Sequence, residues 1–464
     1  MRTRSVAKSD ACERCLRTSD SDGRPFDGNS RVRDIIFLGK ARDIMPTSDL
    51  SSLDRPTGDK STRRGFLEIA AGASIALAAA PQLKAQTGVQ LAVQHRPGVN
   101  PFKDRGFADG AKMRMQEFIG RGADPIEVVR IFNALTSLDA EPWVTEWTKL
   151  AVPFEHQAAE LEAKGQMADA NKAYMKAAMY YGIAKFPVID HPAKQAAYKK
   201  DVENYLKGAR SQDPPMERVT IPYEGKEIIG YLRKPKGATR PPVVITTGGV
   251  DVYKEERGTN DILGIGAASF SMDMPGGGEC PQWNTPDAEK LYIATIEYLL
   301  SRADLDGKRM GFMGRSYAGY WASKMAYVES KRLKACINGG GPVHVTWQKP
   351  WLTGLLNETG YFWNILDSMI YSNHVKDYDE LVKTAPAMSL QEQGWLEKPN
   401  APMLAVNGAK DPWISPAEIP LLLETGDPKM ARIIADGAHV GRGSKQTQRV
   451  NRASMEWMRA MLMA

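Results

Sequence analysis

The chain has 464 residues, with 61 Lys/Arg against 55 Asp/Glu and a formal net charge of +6. Hydrophobic residues make up 42% and charged residues 25%, ordinary globular usage that excludes a wholly disordered chain, a collagen and a polytopic membrane protein. The length allows two to four folded units at ~100–200 residues each. Four cysteines exclude a disulfide-built scaffold, and the small, unclustered charge surplus leaves no nucleic-acid footprint.

The first 85 residues read as a leader. Residues 1–60 are polar and lack helical or strand periodicity, which predicts disorder. The start reads as over-extended, and Met45 is the initiator expected. The pair Cys12 and Cys15 has no second ligand pair nearby, so no metal site is expected there. Then Ser61-Thr62-Arg63-Arg64-Gly65-Phe66-Leu67 precedes an uncharged run from Ile69 to Ala80 and the segment Pro81-Gln82-Leu83-Lys84-Ala85. This resembles a bacterial twin-arginine export signal. It implies cleavage after Ala85, a mature chain from Gln86, the export machinery as a partner, and a periplasmic or secreted destination. The apolar run is about a dozen residues, short of the ~20 a spanning helix needs, so no membrane anchor is expected. Residues 1–85 hold 15 Lys/Arg and 11 Asp/Glu, which leaves 46 and 44 in a nearly neutral remainder. Cys280 and Cys336 in that remainder can pair only if the fold brings them together.

Residues 86–215 predict a helical cap domain. Trp143, Trp147, Leu150, Phe154, Ala158 and Leu161 recur at helical steps, and Pro153 is expected to kink or split that helix. Ala170, Tyr174, Ala177, Tyr181 and Ala184 form a second stripe, and Tyr198, Val202, Tyr205 and Ala209 a third. Gly165 marks the turn between the first two. One such helix pair does not make a repeat array, which needs at least about three, so a compact cap is expected.

Residues 216–464 predict an α/β catalytic domain. Arg218 to Tyr223 and Ile228 to Arg233 alternate around Glu224-Gly225-Lys226, a hairpin signal that belongs at a sheet edge. Apolar runs follow at helix-separated spacing: 243–246, 268–272, 310–313, 335–337, 403–406 and 433–435. Short apolar strands alternating with helices predict a parallel sheet. Residues 346–400, rich in Trp and Tyr, are a long insertion expected beside or under the cap.

The chemistry sits at the ends of these strands. Met310 to Gly314 runs into Gly314-Arg315-Ser316-Tyr317-Ala318-Gly319 and then a helical run, the strand–turn–helix context of a nucleophile elbow. Ser316 is the expected nucleophile, on a strained turn that needs small residues around it. Ala318 stands where glycine is usual, and Gly319 follows it. His439, in a Gly-flanked loop after the last strand, is the expected base. Asp411, in Asn407-Gly408-Ala409-Lys410-Asp411-Pro412 after the strand at 403–406, is the expected acid, with Asp436 the rival. The oxyanion donors expected are the Tyr317 N–H and the Gly249 or Val250 N–H from Thr247-Gly248-Gly249-Val250-Asp251. Asp251, Asp273, His344 and Trp347 are weaker candidates for lining the site, His344 reading more simply as a structural loop residue. Pro275-Gly276-Gly277-Gly278 lacks the spacing of a phosphate loop and reads as a packed turn. No His/Cys/carboxylate cluster has metal-ligand spacing, so neither metal nor cofactor is expected.

Together these residues are similar to the α/β-hydrolase superfamily. Within it the chain resembles the branch holding 2,6-dihydropseudooxynicotine hydrolase, fermentation–respiration-switch-type esterases and fungal polyketide-shortening hydrolases. The likeness rests on Gly248 to Glu256, the Asp273-Met274-Pro275-Gly276 turn, the Ser316 elbow, the Asn407–Pro412 segment and the His439 loop, and covers about residues 100–460. It implies an α/β-hydrolase fold with an N-terminal helical cap, and cleavage of an ester or of an activated C–C bond beside a ketone. The Trp and Tyr content suggests an apolar or aromatic small-molecule substrate, and a homodimer is compatible with the sequence. Ser316-Tyr317 also resembles prolyl-oligopeptidase-type peptidases, whose propeller the helical segment before residue 216 does not supply. A binding protein on the same fold is the third reading, and neither Ser316 nor His439 is replaced as that would require.

Overall fold

In the computed structural model, residues 108–464 are described except 136, 357, 359 and 364. The leader, with Cys12, Cys15, Met45, Arg63, Arg64 and the Ala85 cleavage position, lies outside the described residues, as do residues 86–107.

Five helices come first: α1 (Ala108–Gly120), α2 (Pro125–Ala134), α3 (Ala140–Ala163), α4 (Met167–Ala184) and α5 (Pro192–Gly208). Asp124 starts α2 by accepting the Ile126 and Glu127 N–H groups, with Pro125 in the first turn. The expected break at Pro153 does not occur: α3 runs unbroken through it. Pro153 is on the exposed face, and Trp143, Trp147, Ala151 and Ala158 are buried along the other. Tertiary packing of that stripe outweighs the one helical bond a proline removes. Gly165, with φ +73°, turns the chain from α3 into α4.

The sheet follows. Its strands are β1 (Met216–Tyr223), β2 (Lys226–Arg233), β3 (Pro242–Thr247), β4 (Ala268–Met272), β5 (Asp306–Arg315), β6 (Leu333–Gly339), β7 (Met403–Gly408) and β8 (Lys429–Ile434). Their spatial order is β1-β2-β4-β3-β5-β6-β7-β8. β1 pairs antiparallel with β2, and β2 with β4; every later pairing is parallel. Glu224 and Gly225 both take positive φ in the β1–β2 turn, as a two-residue hairpin of right-handed twist requires.

β3, β4 and β7 are buried along their whole length, because helices cover both faces of the sheet. Val243, Ile245, Phe312, Cys336 and Ala405 point into one core, together with α6 (Glu289–Ser301) and α7 (Gly319–Val328). Val244, Ala335, Ile337, Leu404 and Val406 point into the other, beneath Met455, Met458 and Leu462 of the C-terminal helix at Thr447–Met463. Cys280 and Cys336 are both free thiols. No helix of the described residues is long and apolar enough to cross a membrane.

The segment between β6 and β7 carries short helices at Lys349–Leu355, Ile365–Ser372 and Tyr378–Thr384. It packs against the N-terminal helices through rings. Trp363 meets Trp143 edge-on at 4.5 Å between centroids, and Phe362 lies 5.2 Å from Phe132. Such contacts add ~1 kcal/mol each beyond area burial. β3 and β5 are neighbours, although β4 intervenes in the chain and lies on the far side of β3. The strand order therefore reverses between them, and the ends of β3 and β5 flank the crevice where open α/β sheets bind ligands.

Candidate active site

Ser316 follows the last residue of β5 with φ +58°. Left-handed backbone at a non-glycine residue is strained, and here it lifts the hydroxyl off the sheet end. The strain is held by close backbone packing. A Cβ at Gly314 would lie 2.0 Å from the Ala318 carbonyl oxygen. One at Gly319 would lie 2.3 Å from Asn338 Oδ1 and 2.6 Å from the Gly341 nitrogen. The second tight approach thus falls on Gly319, and the Ala318 methyl is simply buried.

His439 Nε2 is 2.7 Å from Ser316 Oγ, and its Nδ1 is 2.6 Å from Asp411 Oδ2. The Asp411 carboxylate is saturated: Oδ1 accepts the Trp413 and Ile414 N–H groups, and Oδ2 accepts the Asn407 amide. Burial pushes Asp411 up, but His439 and these donors outweigh it and hold its pKa below the usual value. Asn407 Oδ1 in turn accepts the Val440 N–H at 2.9 Å, so one amide ties the acid to the histidine loop. A Cβ at Gly408 would strike the Ala438 and Gly437 carbonyls at 2.0 and 2.2 Å, which shows how closely the two loops pass. Asp436 is elsewhere, accepting from Ser444 Oγ on the surface.

The loop after β3 closes on the same hydroxyl. A Cβ at Gly249 would lie 2.9 Å from Ser316 Cβ and 3.1 Å from its Oγ. Only glycine lets the backbone come this near. The Tyr317 hydroxyl accepts from Asn373 and Asn284, which fixes the residue after the serine.

A cavity of about 500 Å³ opens over these groups. Ser316, His439, Gly249, Val250, Asp251 and Tyr317 all line it. Asp251 is pinned there by Arg114 Nη2 at 3.2 Å and the Tyr361 hydroxyl at 2.9 Å, while Lys185 donates to its backbone carbonyl. The other three weaker candidates are not on this wall. Asp273 accepts from the Lys254 amide, the Lys254 ammonium and the Glu279 N–H in a buried ionic cluster. His344 bonds Ser389 through Nδ1. Trp347 packs edge-on against Tyr317 and Tyr320, buttressing the elbow from below. Pro275 to Gly278 forms the packed turn: at Gly276 a Cβ would be 2.2 Å from the Ser372 carbonyl.

Other wall residues carry no sequence signal of their own. Met113, Gln116 and Glu117 come from α1, Tyr361 and Ile365 from the insertion, Arg315 from the last position of β5, and Arg257, Trp413 and Arg442 from loops that follow strands. Trp413 was within reach of the sequence, two residues past Asp411; its ring lies 4.9 Å from that of His439.

Comparison with known proteins is consistent with this geometry. A family model described as "Esterase FrsA-like" matches residues 113–448. Esterase FrsA of Photobacterium profundum is 27% identical over 324 residues, covering 65% of this chain and 76% of its own. 2,6-Dihydropseudooxynicotine hydrolase of Paenarthrobacter nicotinovorans is 34% identical over 203 residues, covering 43% and 55%. A crystal structure titled 2,6-dihydroxy-pseudo-oxynicotine hydrolase superposes with TM-score 0.61 at 25% identity, over 74% of this chain and 94% of that one. The solved structure of AbyA5 shares the fold at TM-score 0.57 and 20% identity, over 75% and 93%. The family match runs from the α1 residues that line the cavity to beyond the His439 loop, and on that extent the chain belongs to the FrsA-like esterase family, hydrolases of the α/β-hydrolase fold.

Proposed function

We propose that the chain is a serine hydrolase acting on an ester, or on an activated C–C bond beside a ketone, of a small molecule. The reading is carried by one observation: the unbroken hydrogen-bond chain Ser316–His439–Asp411 at the floor of the cavity. Ser316 Oγ attacks the carbonyl carbon while His439 Nε2 takes its proton. Asp411 holds the imidazole tautomer and balances the imidazolium. The negative oxygen of the intermediate is received by the Tyr317 N–H and the Gly249 or Val250 N–H, a donor being worth ~3–4 kcal/mol in comparable sites. His439 returns the proton to the leaving group, and water then releases the acyl group by the same relay. The ester reading is supported by the FrsA relatives, and the C–C alternative by the hydrolase of Paenarthrobacter nicotinovorans. Tyr361, Ile365 and Trp413 on the wall suit an apolar or aromatic substrate body.

Labelling the chain with an organophosphonate and mapping the adduct tests this. One adduct on Ser316, absent from His439→Ala, is expected. An adduct elsewhere, or ester turnover retained by Ser316→Ala, overturns the assignment. Export through the Arg63-Arg64 leader is proposed with it, and replacing both arginines by lysine should retain the protein in the cytoplasm.

A further inference from the structure

The arginines around the cavity are not equally neutralised. Arg114 pairs with Glu117 and Asp251, and Arg121 with Glu117 and Glu256. Arg442 reaches Glu117 at 3.6 Å and lies over the Trp413 ring. Arg257 and Arg315 differ: among the described residues neither has a carboxylate partner. Arg257 donates one Nη to Thr246 Oγ1, but its Nε is buried with no acceptor. Its other Nη sits 2.9 Å from where a Cβ at Gly248 would be, against the loop that passes Ser316. Arg315 is the residue before the serine and is exposed.

Both guanidinium groups line the active-site cavity and also a second one of about 270 Å³ beside it. Val252 and Val440 are the other two residues common to both. The two acids on the active-site wall, Glu117 and Asp251, are already held by Arg114. In the second cavity Glu256 is taken by Arg121 and Lys185, and Asp261 forms no ion pair with either arginine. Two cations thus face one seam, and among the described residues no carboxylate is in ion-pair contact with either; Asp273 and Glu117 act on them only from a distance. Burial and then the facing Arg315 pull the Arg257 pKa down to about 10, and the more distant Asp273 offsets this only in part.

We propose that Arg257 and Arg315 together bind an oxyanion group of the substrate, a carboxylate or a phosphate, at the seam between the two cavities. Planar guanidinium forks suit such groups, and charge-assisted bonds to them are the strong ones. The substrate is therefore an anionic ester or ketone, its charged end placed beside the Ser316 elbow. This rests on the serine-hydrolase reading and narrows it.

Matched 4-nitrophenyl esters test it: the neutral valerate and the monoglutarate, whose acyl chain ends in a carboxylate. The monoglutarate should have kcat/KM ~10–100-fold higher at low salt, the range of one charged hydrogen bond. Arg315→Gln and Arg257→Gln should each collapse that ratio, and Arg315→Lys should restore part of it, which a merely structural role would not do. Calorimetry on Ser316→Ala, which needs no turnover, should show free glutarate or inorganic phosphate binding, lost when Arg315→Gln is added. Tighter glutarate marks a carboxylate as the natural group, and tighter phosphate a phosphate. If both esters are cleaved at equal kcat/KM and neither anion binds, the site is overturned while the hydrolase reading stands. If neither ester is cleaved but the anions still bind, it is the ester half of the hydrolase reading that fails, and a 1,3-diketone bearing a carboxylate that is also left intact overturns the rest.

Discussion

The floor and the roof of the cavity are built by different means. On the floor, Ser316, His439 and Asp411 are placed by backbone passing backbone: Gly314 under Ala318, Gly319 against Gly341, Gly408 under the Ala438 carbonyl. There is no room for a Cβ at any of these points, so the three loops have one arrangement. The roof is placed by side chains. Arg114, on α1, holds Asp251 of the β3 loop and the Tyr361 carbonyl of the insertion, and its guanidinium lies 4.5 and 4.6 Å from the Phe186 and Tyr361 ring centres. Lys185 and Arg121 share Glu256. Backbone contact fixes geometry to a fraction of an ångström, as proton transfer needs. Side-chain ion pairs fix which elements meet and leave the wall chemistry free to vary.

The strongest way to break this contrast is at the floor. Ser316→Ala or His439→Ala should lower kcat by ~10⁴–10⁶, with little change in thermal midpoint, because the glycine contacts that hold the loops remain. Asp411→Asn should cost ~10⁴ through loss of the tautomer. Asp436→Asn should cost nothing, since its partner is the surface hydroxyl of Ser444. A large activity loss in Asp436→Asn, with Asp411→Asn active, would mean that the 2.6 Å bond between His439 and Asp411 is not the working one.

The same contrast explains what the sequence disclosed. The floor is written locally: a strand, a glycine, Ser316 and a helix lie within a dozen residues, and Asp411 and His439 each follow a strand end by a few positions. The strand segments and the β1–β2 hairpin were readable because periodicity and turn residues are also local, whereas the order in which the strands lie side by side was not. The roof is not local. Arg114 and Asp251 are 137 residues apart and Arg114 and Tyr361 247, and nothing in the residues around either position marks the pairing. Asp273 looked eligible because it follows β4, yet Lys254 claims it. Pro153 misled because a proline's cost is local, whereas the burial of Trp143 and Trp147 that offsets it is not.

A break in the roof should be smaller and of another kind. Arg114→Met keeps the bulk and leaves Asp251 facing Tyr361 without its cation. Breaking a buried pair in this way costs ~3–5 kcal/mol, read as a lower urea midpoint. KM for a neutral ester should rise, because the wall that Asp251 and Tyr361 form loosens. Phosphonate labelling of Ser316 should persist in the folded fraction. Loss of labelling there would mean that floor and roof are one cooperative unit rather than two.

Glu117 gives the finest test, because it reports the roof through pH. Burial pushes its carboxyl up, but Arg114, Arg121 and Arg442 outweigh that and bring the pKa down to about 2. A carboxylate depressed in the folded state stabilises that state above its unfolded value near ~4.3, and the contribution drains away as pH falls toward the folded value. A two-unit depression corresponds to at most ~3 kcal/mol, and less here because the side chain is 21% exposed and solvent screens it. Glu117→Gln should therefore be ~1–2 kcal/mol less stable than the parent at pH 7. The two urea-denaturation curves should converge between pH ~4.5 and ~2, where the parent's Glu117 takes up its proton. Parallel curves through that window would show that the three arginines do not hold α1 down by charge, and the roof would then rest on the Trp143, Phe186 and Trp363 rings instead.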